Sequence, residues 1–139
     1  NPSTGYAYYS ANGQKYNNSS GSAYGSTFTA GDIISVAFDA DNGAIWFAKN
    51  GTWQNSATQT EIENGTTTNA AFSSIDTSIG FFAGASGEDC NSTTNFGNGY
   101  FGTTAVASAN SDSAGIGQFE YSVPSGYYAL CTKNIADYG

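Results

Sequence analysis

Asn42-Gly43 and Asn50-Gly51 lie eight positions apart in the most apolar stretch of the chain, Gly31-Asp-Ile-Ile-Ser-Val-Ala-Phe-Asp-Ala-Asp-Asn-Gly-Ala-Ile-Trp-Phe-Ala-Lys-Asn-Gly-Thr-Trp53. Asn-Gly between alternating apolar residues is a strong hairpin signal, because both central residues of a type I′ turn need φ > 0. Two such turns in succession predict three consecutive antiparallel strands, over residues 33–39, residues 44–49 and from Thr52 onward. In the first strand Ile34, Val36 and Phe38 share a face, with Ser35, Ala37 and Asp39 on the other. In the second, Ile45 and Phe47 share a face and Trp46 points oppositely. Ile34, Val36, Phe38, Ile45 and Phe47 are therefore the predicted core. An aromatic on each face indicates cover on both sides of the hairpin, as in a sandwich.

Composition decides whether such a chain can bury a core at all. Its 139 residues suffice for one domain, residues 1–139, with one core. Leu130 is the sole leucine, methionine is absent, and Val, Ile, Leu and Phe together make roughly 15%. With a net charge of −8, that poverty alone would point to disorder. Ten Tyr, nine Phe and two Trp argue the other way, since aromatics bury large areas and favour strands. Helix formers are scarce beside Gly, Ser, Thr and Asn, so the expected class is all-β with many turns.

Charge and cysteine content exclude several functions. Lys15, Lys49 and Lys133 are the only basic residues, too few for a nucleic-acid or anionic-lipid surface. No run of 18 apolar residues is present, so no membrane insertion is expected. The acidic balance suits solubility and an extracellular or salty medium. Cys90 and Cys131 admit two readings, a disulfide closing a loop of about 40 residues or two thiols packed as small hydrophobes. The chain starts at Asn1 and carries no leader pattern, which reads as a piece of a longer polypeptide or a processed product.

Elsewhere the pattern is coarser. Tyr6 to Tyr9 and Lys15-Tyr16 flank Asn12-Gly13 as a first hairpin. Residues 17–22 read as a polar loop, residues 24–29 as a short extended piece, and residues 54–71 as a long surface loop. Strands are predicted over residues 79–85, 94–97, 118–121 and 127–132, and residues 103–114 are small and polar with Val106 as their anchor.

These segments resemble a known family. The Gly31 to Gly51 block, with its Asp-x-Asp-x-Gly and Phe-x-x-Asn-Gly turns, looks like the central strands of a SPRY (B30.2-like) domain. Asn95-Phe-Gly97 looks like its next landmark, and Phe119-Glu-Tyr-Ser-Val-Pro-Ser-Gly-Tyr-Tyr-Ala-Leu130 like its closing element. Ala129-Leu-Cys-Thr-Lys-Asn-Ile135 resembles a tail found in SPRY-like modules of tailed-phage and environmental viral structural proteins. The resemblance implies a concanavalin-like antiparallel β-sandwich (jelly roll) and a non-catalytic binding or assembly role. Family members usually carry further strands before the part equivalent to Tyr6. The sandwich is therefore open to completion by residues or a subunit outside this chain.

The chemistry is consistent with a non-enzyme. Histidine is absent, which removes the commonest general base. No catalytic residue and no cofactor is expected. Glu61 with Glu63, and Glu88 with Asp89, are carboxylate pairs by type alone, and solvated loop charge explains them. Asp39 and Asp41 have the alternate spacing of a calcium-loop start, but Asx capping of a hairpin accounts for them without metal. The candidate ligand- or partner-binding residues are the aromatics Trp53, Tyr8, Tyr9, Tyr100 and Tyr128, each weighed against simple core packing.

The expected function is a virion structural or adhesion module: a phage fibre, tail or capsid-decoration component in a homo-oligomeric assembly. Its partners would be a host-surface glycan or other virion proteins. The rival is a secreted carbohydrate-binding (lectin) module or glycoside-active enzyme on the same sandwich. A further rival is an intracellular peptide-binding SPRY module.

Overall fold

A computed structural model describes residues 3–86 and 91–138. The chain separates into two compact units, residues 1–79 and 80–139, and each is described by itself. Among the described residues most regular structure is antiparallel strand, with two short helices and no closed barrel.

The first unit holds two three-stranded sheets, β1(Tyr6–Tyr8)-β2(Gln14–Asn17)-β3(Ser20–Ala23) and β4(Ile34–Asp39)-β5(Ala44–Lys49)-β6(Thr52–Trp53). The second Asn-Gly signal forms the turn expected of it. Asn50 and Gly51 take φ of 49° and 78°, and Lys49 faces Thr52 across a two-residue type I′ connection. The first signal forms a different turn. Asp39 pairs with Ala44, so four residues bridge β4 and β5, and of Asn42-Gly43 only Gly43 has positive φ, at 60°. The Asp39 carboxylate explains the longer loop, because it accepts from the Asn42 backbone N–H at 2.9 Å and from its side-chain amide at 2.7 Å. Gly43 also docks tightly on Ile75, where a Cβ would stand 2.5 Å from the Ile75 carbonyl oxygen.

The two sheets meet through aromatic rings rather than aliphatic side chains. Tyr8 of β1 lies with its ring centroid 5.4 Å from that of Phe47 on β5, 5.5 Å from Tyr24 and 5.0 Å from Phe28. Tyr24, Phe47 and Ala71 are buried, with Ile34, Ile45 and Phe72 packed against them. Lys15 of β2 reaches into this layer, donates to the Ala71 carbonyl, and sits 5.4 Å from the Phe72 ring centroid. Burial lowers the Lys15 pKa.

The predicted core needs correction at two positions. Phe47 is buried and Ile34 and Ile45 are half-buried, but Val36 is 58% exposed and Phe38 37%. The face opposite is the more enclosed one. Ala37 pairs with Trp46, and Ala44, Trp46 and Ala48 are essentially inaccessible. Alternation separates two faces but carries no label for which of them other segments will cover.

Several expected loops and strands also differ. Residues 17–22 contain the β2–β3 turn, made by Asn18 and Ser19 at φ 48° and 60°. Residues 54–71 contain helix α1(Gln59–Glu63), begun by a capping box in which Thr58 and Glu61 bond reciprocally. Residues 79–85 form no strand, and Phe82 is 92% exposed. Such a run becomes a strand only when another strand pairs with it, and none of the strands among the described residues does so.

The second unit is held by short pairings, β7(Tyr100–Phe101) with β8(Thr104–Ala105) and β9(Asn110–Ser111) with β10(Gln118–Phe119). Residues 94–97 form a turn instead of a strand, with Gly97 N–H donating to Asn95 Oδ1 at 2.7 Å. The strand expected over 118–121 is confined to Gln118–Phe119. Residues 127–132 form no strand: 127–131 are irregular and Thr132 opens helix α2(Thr132–Tyr138), supported by a Lys133–Asp137 ion pair at 2.6 Å. Asp112 organises this end, as its buried carboxylate accepts from Ile116 N–H and Ala129 N–H, both at 2.8 Å, and from Asn134 Nδ2 at 2.7 Å. No helix among the described residues is long and apolar enough to cross a membrane.

Gly13 offers a direct check on this packing. Its φ is +67°, and a Cβ there would stand 2.1 Å from the Gly25 carbonyl oxygen. Gly25 N–H in turn donates to the Gly13 carbonyl at 2.9 Å. Gly13→Ala must adopt a left-handed conformation and push two backbone segments apart, so it is expected to destabilise by about 2–4 kcal/mol. The urea midpoint reads this out, with Gly31→Ala as comparison, since a Cβ at Gly31 meets nothing within 4 Å.

Candidate functional site

The most exposed apolar row in the first unit's sheets runs along β4. Ile34, Val36 and Phe38 share the face of Ile45 and Phe47, facing Lys49, Phe47 and Ile45 in the register. On β5 that face lies under the aromatic layer; on β4 it emerges into solvent at Val36 and Phe38. A sheet face that is buried along one strand and open along the next is where further cover belongs.

Backbone register adds to this. Asn50 N–H donates to the Ile33 carbonyl at 2.9 Å, while Ile45 N–H donates away from β4, to the Phe72 carbonyl at 3.0 Å. Hydrogen-bonded and non-bonded pairs alternate along an antiparallel ladder, so Ser35, Ala37 and Asp39 face β5 with their amides. Ile34 and Val36 direct N–H and C=O outward. Side-chain alternation alone places Val36 and Phe38 in the core and so conceals this row. The missing signal is in the sequence nonetheless: Ile34-Ser-Val-Ala-Phe-Asp39 contains no Lys or Pro of the kind that blunts an edge.

The five aromatic candidates occupy different surroundings. Tyr8 belongs to the inter-sheet layer; its phenol donates to the Ser26 carbonyl, and burial raises its pKa. Tyr9 is 51% exposed and meets Tyr16 edge-on at 5.8 Å. Trp53 is half-buried opposite Ala48. The first unit thus holds these three without gathering them into one platform. In the second unit Tyr100 is exposed on β7, and Tyr128 stacks on Tyr138 with centroids 4.4 Å apart. Tyr128 and Tyr138, with Leu130, Asn134 and Ile135, line a shallow apolar cleft of about 160 Å³.

The acidic candidates are engaged locally. Both Asp39 oxygens receive hydrogen bonds from Asn42, and Asp41 is exposed in the same turn. Glu61 serves the capping box and accepts from Asn69 Nδ2 at 2.8 Å. Glu63 accepts from Gln59 Nε2 at 2.9 Å. Two positions apart on a helix, Glu61 and Glu63 do not face each other. Glu88, Asp89 and Cys90 lie outside the described residues, and so does any pairing of Cys90 with the half-buried Cys131.

The family model for the SPRY domain matches residues 1–99. No curated protein and no solved structure matches the chain. SPRY domains are generally non-catalytic binding modules, and the match suggests a protein-interaction role.

Proposed function

The chain belongs to the SPRY domain family, and from that premise we propose that it is a non-enzymatic assembly or adhesion module of a virion, binding a neighbouring structural subunit. One observation carries the preference for a protein partner: Val36 and Phe38 stand exposed on a sheet face that is otherwise packed. Apolar rows of this kind suit protein contacts, where burial drives association. The resemblance of Ala129 to Ile135 to viral structural tails supports the virion setting, as does the acidic composition rich in Gly, Ser, Thr and Asn. Such a module works in a homo-oligomeric assembly on the particle.

The test is a pull-down with the purified chain from disassembled particles, paired with detection of the chain in assembled ones. Capture of a particle subunit, lost when Val36 and Phe38 are both changed to serine, is the expected result. A chain absent from particles that captures no subunit overturns the proposal. A second reading is adhesion to a host-surface glycan, favoured by the exposure of Tyr9 and the position of Trp53 beside the type I′ turn. It predicts an oligosaccharide-array signal that Trp53→Ala reduces while Val36→Ser leaves it intact.

A further inference from the structure

We propose that the open edge of β4 is a strand-docking site, taken by an extended segment of a partner protein with alternating apolar residues and a basic flank. The proposal rests on the interaction-module reading and assigns that partner a surface, a backbone geometry and a chemistry.

The two edges of the β4-β5-β6 sheet contrast sharply. Beyond β5 every outward-facing residue is served: Thr52 faces Lys49, Gln54 N–H donates to the Phe47 carbonyl at 3.0 Å, and Ala71 N–H donates to the Ile45 carbonyl at 2.8 Å. Beyond β4 no strand follows among the described residues. The N–H and C=O groups of Ile34 and Val36 point there two residues apart, a spacing of roughly 7 Å. A donor and an acceptor repeating at that interval are matched by the backbone of another extended strand. Its alternate side chains would fall beside Val36 and Phe38, extending the apolar row.

Charge selects between a second copy and a different protein. The chain carries −8, so a second copy is disfavoured at this edge beside Asp39 and Asp41, and contacts between copies in an assembly would lie elsewhere. Asp39 and Asp41 stand at the C-terminal end of β4, and neither has a lysine partner, whereas Asp32 at the other end is held by Lys49 at 3.1 Å. A lysine or arginine flanking the incoming strand complements Asp39 and Asp41 and brings no like-charge repulsion.

The probe is a nine-residue peptide of alternating valine and threonine with lysine at both ends, titrated into the 139-residue chain. Saturable binding is expected, with the Ile34 and Val36 amides gaining protection from hydrogen exchange. Val36→Pro removes an outward N–H without touching the ladder to β5, and Val36→Lys charges the edge. Each should weaken the peptide about tenfold or more, as should N-methylation of the peptide's alternate amides. Three results would overturn the proposal: no binding, undiminished binding of the N-methylated peptide, or dimerisation of the chain through β4 in light scattering. If the peptide fails while the particle subunit is still captured, the edge is wrong and the interaction module stands. If neither binds, both readings fall.

Discussion

Trp46→Ala is expected to cost about 3–5 kcal/mol, whereas Val36→Ala, one strand away, should change stability by less than about 1 kcal/mol. Trp46 is fully buried and Val36 is 58% exposed, so the two substitutions separate the enclosed face of the hairpin from the open one. The large cost combines lost transfer energy with a cavity that the surrounding alanines, Ala37, Ala44 and Ala48, are too small to fill. Trp46 Nε1 is buried without a hydrogen-bond partner among the described residues. Trp46→Phe removes that orphan donor along with part of the ring, so it should be milder than alanine. Urea denaturation of the variants gives the ranking; a Val36→Ala loss as large as that of Trp46→Ala would invert the assignment of faces.

Asp112→Ala is the second large effect, expected at about 3–5 kcal/mol against the second unit. The substitution strips the acceptor from the backbone amides of Ile116, Gly117 and Ala129 and from the Asn134 amide, leaving buried donors unmet. Burial of the carboxylate acts to raise its pKa, but these donors together prevail and hold it at about 2. The folded value lies below the ordinary carboxylate value of about 3.9, so the stabilisation is present in full above that pH. It is lost as pH falls from about 4 through about 2. In the wild type, acid unfolding of residues 80–139 should therefore steepen in that window. In Asp112→Ala the steepening should disappear, with hydrogen exchange of the Ala129 amide as the local readout.

The hairpin region was legible because its determinants are local. Asn50-Gly51 makes a type I′ connection, which suits two adjacent left-handed residues, and the β5–β6 pairing follows from it at the expected residues, while β4 begins within one residue of expectation. Asn42-Gly43 carries the same dipeptide and turned out differently, because Asp39 supplies a side-chain acceptor three residues upstream. The α1 helix was equally local, with Thr58 and Glu61 in capping-box spacing, and only the polar composition around it concealed the signal. Residues 79–85 and 127–132 were illegible for the opposite reason. Both have strand-like composition, and a strand depends on a partner elsewhere in the chain.

By itself the amino-acid sequence determined the antiparallel class, the central hairpin, the aromatic material of the core and the family to which the chain belongs. Those depend on turn stereochemistry, β-propensity and short-range spacing, which act within a few residues. Tertiary structure alone decided that Trp46 is enclosed while Val36 and Phe38 face solvent, that Asp112 gathers Ile116, Ala129 and Asn134, and that β4 ends its sheet among the described residues. Which face is covered and which edge is left open depend on segments distant in sequence, and alternation along one strand reads the same in either case.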